Sequence, residues 1–134
     1  MEWLKSLGVL VGRILLVLIF LQSGIGKIEN FQKTAQYMAS YGMPFTNFFL
    51  VGAIFVELIG CLAVILGFST RLGAVLLLVF LIPTTLIFHT NFSDQIQVIM
   101  FMKNVSIFGG CLLLLSFGGG RFSLDYLLRG RKGK

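Results

Sequence analysis

The sequence predicts an all-α fold, an integral membrane four-helix bundle with a short interfacial helix between the first two spans. Composition is the first reason. Of 134 residues, 57% are hydrophobic and only 12% charged, with a mean hydropathy of +0.95, whereas a soluble domain carries roughly 25% charged residues. The second reason is clustering. Apolar residues gather in four stretches, 7–26, 48–68, 71–88 and 98–117, each close to the roughly 20 residues that cross a bilayer core. The third is where the net charge of +6 falls. Lys5, Arg71, Arg121, Arg129, Arg131, Lys132 and Lys134 lie at the N-terminus, the second connection and the tail 118–134. Four antiparallel spans bring those regions to one side. Short Lys/Arg-rich loops stay inside, so both termini are expected in the cytoplasm of a multi-pass protein of the bacterial inner (plasma) membrane. The spans consume most of the chain, which is read as a single membrane domain, 1–134. No cleavable leader is expected, because the first stretch is too long for a signal h-region and no small-residue site follows it.

Taken in order, the first span carries Gly8 and Gly12, a small-xxx-small pair that lets another helix approach. Gly24-Ile-Gly-Lys27 marks its far end. Over 30–41, Phe31, Ala35, Met38 and Ala39 recur at helical spacing among polar residues, the pattern of an amphipathic helix at the interface. Gly42 caps it and Pro44 stops it. In the second span Ala53, Glu57, Gly60, Cys61 and Val64 share one small, polar face, which belongs inside the bundle. Pro83 interrupts the third span and leaves the Val79 carbonyl without its donor, so a kink is expected there, with Thr84 and Thr85 meeting part of the need. Gly109-Gly110 offers close packing in the fourth span. Gly118-Gly119-Gly120 ends it, and Ser123 caps a short terminal helix.

Glu57 stands alone in an apolar run, where a carboxylate costs roughly 2.5–3.5 kcal/mol on insertion scales. Counting from the span ends puts Glu57 roughly 13 Å from the outer edge and Arg13 about 9 Å from the inner one. An Arg13–Glu57 intramembrane ion pair is therefore expected. Gln22, Lys27, His89, Lys103 and Asn104 all fall in the outer half. Gln22, Glu57, His89, Lys103 and Asn104 are the candidate ligand-binding residues, with Lys27 read mainly as a snorkelling interfacial lysine. Cys61 and Cys111 lie at similar depth and read as small buried residues rather than a redox pair. One His and two separated Cys make no familiar metal site, and no nucleotide-binding glycine pattern follows a strand. The basic tail RGRKGK reads as a topology signal against anionic lipid, not as a nucleic-acid contact.

Several pieces, in order, resemble the DoxX family of small four-span membrane proteins: Arg13, Gly24 to Lys27, FQKTAQYMASYGMP, VELIG around Glu57, Thr70-Arg71, His89, FMKNVSIFGG and GGGRFSLD. The resemblance covers nearly the whole chain and implies a four-helix membrane bundle. Some members resemble small subunits of a thiosulfate:quinone oxidoreductase, others are associated with oxidative stress, and eukaryotic relatives are cargo receptors or assembly chaperones. This chain departs from the pattern at Ser93, where many relatives have an aromatic residue, and at Gly119, where GPGR is common.

Two function classes follow. One is a redox-associated subunit that binds quinone, or another apolar small molecule, in the bundle. It has no covalently bound cofactor and needs a redox protein subunit as partner, because the chain offers no evident haem, flavin or iron–sulfur ligands. Lys, His and Asn supply the donors a quinone head group needs. The other is a non-catalytic membrane partner that assembles or recruits another protein. Besides the lipid bilayer, a second copy of the chain is a further candidate partner.

Overall fold

The computed structural model describes residues 1–89 and 91–132, with side chains as far as 129. Lys134, and the side chains of Arg131 and Lys132, which were counted above among the basic residues, lie outside the described residues. Six helices follow one another: α1 (Glu2–Glu29), α2 (Phe31–Ala39), α3 (Thr46–Leu66), α4 (Thr70–Phe88), α5 (Gln95–Phe117) and α6 (Leu124–Lys132). Among the described residues there is no strand. Four helices, α1, α3, α4 and α5, are long and apolar enough to cross a membrane, and α2 is the short helix expected between the first two spans. Helices suit a bilayer because they satisfy every backbone donor within the segment.

The helix ends follow local chemistry. Asp94 accepts a hydrogen bond from the Ile96 amide at 3.0 Å, so α5 starts at Gln95, three residues before the apolar stretch. Helix α2 ends at Ala39 with Ser40, not Gly42, as its C-cap; Gly42, at φ +80°, donates to the Ala39 carbonyl in the turn that follows. The Tyr126 amide donates to the Ser123 hydroxyl at 3.2 Å, which caps α6. Helix α4 stays one helix from Thr70 to Phe88 through Pro83. The Thr84 hydroxyl donates to the Phe80 carbonyl, one residue beyond the Val79 carbonyl that the proline deprives of its donor.

Helix α1 packs on α3, α3 on α4 and α4 on α5, while α1 and α5 meet less extensively and α2 lies over α3. The core between them holds Val17, Phe20, Cys61, Val64, Leu77, Leu81, Cys111 and Leu114. Cys61 and Cys111 are free, buried thiols. A smaller cluster of Ala35, Met38 and Leu50 seats α2. Close approach occurs at Gly60 and Gly73, where a Cβ on Gly73 would stand 2.9 Å from the Ala63 Cβ and 3.1 Å from the Gly60 carbonyl. The small-residue pair expected at Gly8 and Gly12 has no such role within the chain: neither position has an atom within 4 Å of a modest added side chain. The close crossing is made instead where α3 turns directly into α4 and the two helices start in contact.

The antiparallel spans leave the molecule with two unlike ends. The terminal end gathers the start of α1, the α3–α4 turn and α6. The α2 end gathers α2 and the α4–α5 loop.

Candidate functional site

At the α2 end lies a cavity of about 1050 Å³. Its walls are predominantly apolar, drawn from α1, α2, α3, α4 and α5, with Phe20, Met38, Phe80 and Ile107 among them. Phe48, Phe49 and Val79 line it and are also exposed, so it opens on the lipid-facing surface between α3 and α4. Pro83, Tyr37 and Phe88 complete that wall.

Glu57 lines the cavity and is only 1% exposed. Its partner is Lys27, whose Nζ lies 2.6 Å from Glu57 Oε1 and 2.6 Å from the Ser23 hydroxyl, to which it donates. The carboxylate contact is an ion pair by distance, and Oε1 accepts no directed hydrogen bond. The ammonium also lies 5.7 Å from the centroid of the Phe80 ring, within cation–π range. Lys27 is 21% exposed at its side chain. A charged pair therefore sits on the wall of an apolar cavity.

The expected Arg13–Glu57 pair does not form. Arg13 Nη1 donates to the Gly119 carbonyl, and Nη2 to the Ile65 carbonyl at 3.0 Å. The reason is side-chain direction. A helical Cα–Cβ bond leans toward its own N-terminus. Arg13 on α1 leans toward the terminal end, whereas Glu57 on the antiparallel α3 leans toward the α2 end. Register agrees: Cys61 Sγ donates to the Val17 carbonyl at 3.4 Å, and Arg13 reaches Ile65, eight residues beyond Glu57. Nominal depth along a helix places the Cα only and leaves out this lean of the side chain. The same rule was available for Lys27, which leans back along α1 into the membrane and meets Glu57.

Four of the five candidate ligand residues, Glu57, His89, Lys103 and Asn104, line the cavity. Gln22 does not: it is exposed on α1, because the face that meets Glu57 runs through Phe20, Gly24 and Lys27. The Asn104 amide donates to the Thr85 hydroxyl at 2.9 Å, a buried link between α5 and α4. His89 Nδ1 shares a hydrogen bond with Gln97 Oε1 at 2.9 Å. Lys103 Nζ donates to the Met100 sulfur at 3.4 Å. A thioether is a weak acceptor, so this ammonium keeps strong donor capacity. Among the described residues, no three His, Cys, Asp or Glu gather as metal ligands.

The terminal end is organised differently. Asp125 reaches across from α6 and accepts from the Ser69 amide at 2.6 Å and from the Thr70 amide and hydroxyl at 2.8 Å each. It caps α4 from 55 residues away. Its own amide donates to the Gly67 carbonyl. Partial burial of the Asp125 carboxyl opposes ionisation, but the hydrogen bonds from Thr70 and Ser69 outweigh it and hold the group below its usual value. Sequence reading placed Asp125 in a terminal motif and missed this role, for which only the adjacent Ser69-Thr70 pair gave a signal.

Residues 8–90 match the DoxX family model. The chain is 43% identical to the inner membrane protein YqjF of Escherichia coli over 96% of its own length and 97% of the relative's. It is 40% identical to the inner membrane protein YphA of the same organism over 87% of the chain and 86% of that protein. A Bacillus subtilis protein named provisionally as an oxidoreductase, CatD, is 34% identical over 53% of the chain and 52% of its own length. No solved structure gives a significant match.

Proposed function

This chain belongs to the DoxX family of membrane proteins, and we propose that it is a redox-associated membrane subunit whose α2-end cavity binds a quinone or a similar apolar molecule with a hydrogen-bond-accepting head group. The observation that carries the reading is the pairing of apolar walls with a few charged groups, namely the Lys27–Glu57 pair and the lightly engaged Lys103 ammonium. Ligand cavities typically combine those two features. Intramembrane ionisable groups mark ligand or proton pathways by default. The provisional oxidoreductase assignment of CatD supports the same class.

In this reading the ligand enters from the lipid between α3 and α4. Lys103 donates to one head-group carbonyl, and the ion pair lies on the wall beside it. The chain binds and orients; a redox protein subunit supplies the electrons. Lys5, Arg71, Arg121 and Arg129 stand at the opposite end, which supports a reading with that end and both termini in the cytoplasm and the cavity in the outer half of the bilayer.

The test is titration of a short-chain quinone into the protein in nanodiscs. Lys103→Met keeps length and removes the donor, so affinity should fall by about 1.5–3 kcal/mol, the value of a lost charged hydrogen bond. Equal affinities remove Lys103 from the site. Wild-type protein with no saturable binding favours the other class, a non-catalytic partner that assembles or recruits another membrane protein.

A further inference from the structure

The terminal end carries a second concavity, of about 360 Å³, between the α3–α4 turn, the glycine segment after α5 and α6. We propose that it binds the phosphate group of an anionic phospholipid. Arg71, Arg121 and Arg129 line it, all three exposed. The carboxylate that also lines it, Asp125, is committed to the Ser69 and Thr70 donors. Those same bonds occupy the amides at the start of α4, so the attraction is the work of arginine side chains and not of a free helix N-terminus. Three guanidinium groups against one carboxylate leave the concavity positive.

The arginines also have donors to spare. Arg71 makes one long bond, Nη2 to the Ser116 carbonyl at 3.4 Å. The Arg121 guanidinium lies over the Tyr126 ring, 5.8 Å from its centroid, a cation–π contact that takes up no hydrogen-bond donor. Planar guanidinium forks match phosphate oxygens. The backbone lets the anion come close at Gly118, which takes positive φ and carries no side chain beside Arg71, whose guanidinium stands 3.5 Å from where a Cβ would be.

The rim assigns the phosphate to a lipid. Leu72 and Phe117 line the concavity and are 60% and 79% exposed. They end two membrane spans, where acyl chains meet head groups. Helix α6 adds the exposed Leu124, Leu127 and Leu128 beside Arg129, the composition of a helix lying at a bilayer surface. An amphiphile meets both chemistries at once, whereas a free anion uses only the arginines.

The experiment titrates dioctanoyl phosphatidylglycerol into the full chain in a neutral detergent, followed by native mass spectrometry. Dioctanoyl phosphatidylcholine and inorganic phosphate form the other two arms. Saturable retention of phosphatidylglycerol alone is expected. Arg71→Gln with Arg129→Gln should weaken it by about tenfold or more, since charged hydrogen bonds are lost, while melting stays near wild type because both residues are exposed. Equal retention of phosphatidylcholine, or unchanged affinity in the Gln variant, overturns the site. Inorganic phosphate competing at the same concentration overturns the lipid assignment. Should the Gln variant not fold, Arg71→Lys with Arg129→Lys carries the test. It keeps charge but loses the planar fork, and an affinity equal to wild type would then count against the proposal.

Discussion

The two ends of this bundle use buried charge in opposite ways. At the terminal end Arg13 and Asp125 close a polar knot, in which the guanidinium serves two carbonyls and the carboxylate three donors. Gly67 and Gly119 leave no room between the pieces: a Cβ on Gly67 would stand 2.3 Å from the Ser123 Cβ, and one on Gly119 2.7 Å from the Thr70 hydroxyl. At the α2 end Lys27 and Glu57 form a pair beside open space, and Gly52 on the cavity lining has nothing within 4 Å. The knot ties three separate chain segments together through Arg13 Nη1 and Nη2 and the Asp125 carboxylate, with Arg13 Nε left buried and unpartnered. The Lys27–Glu57 pair ties only α1 to α3 and borders the cavity. The two ends thus differ in how many chain segments their charged groups join and in how much open space lies beside them.

The largest effect should come from opening the knot. Arg13→Met removes two charge-assisted hydrogen bonds and strands the Gly119 and Ile65 carbonyls, a loss of about 3 kcal/mol or more. Removing both members of the cavity pair, Lys27→Met with Glu57→Gln, should cost under about 1 kcal/mol, because replacing a whole buried pair is often neutral. Thermal melting in detergent compares them, and equal losses would erase the distinction between the ends.

A smaller contrast comes from glycine. Gly67→Ala forces a Cβ against Ser123 at a φ of +72°, with an expected loss of about 2 kcal/mol. Gly52→Ala meets open space in a helix and should raise stability by up to about 1 kcal/mol. A destabilising Gly52→Ala would show that the cavity wall is closely packed at this position.

The smallest effect belongs to Asp125, and it depends on pH. Asp125→Asn should cost about 1 kcal/mol, the worth of a helix cap. Because the folded carboxyl lies below its ordinary value of 3.8, its contribution is fully present above about pH 4 and disappears as pH falls through the folded value. The difference in melting temperature between wild type and Asp125→Asn should therefore be constant from pH 7 to 5 and shrink toward pH 3. A difference that widens on acidification would contradict the capping role.

The sequence alone determined the four long apolar helices, the short helix between the first two and the cap at Ser123. Those depend on residues close together in the chain, and on the rule that a backbone in lipid must bond to itself. It also named four of the cavity's polar lining residues, Glu57, His89, Lys103 and Asn104, which have few reasons to face lipid. Only the tertiary structure decided which charges meet. Lys27 and not Arg13 pairs with Glu57 because the lean of side chains on antiparallel helices outweighs nominal depth. Gln22 turned outward because one helix position rotates a residue by about 100° off the shared face. Asp125 found the α4 amides because a glycine segment folded the chain back on itself. Hydropathy measures how well a segment suits lipid, one residue at a time. Pairing is a property of register and direction between segments, and those exist only once the helices have packed.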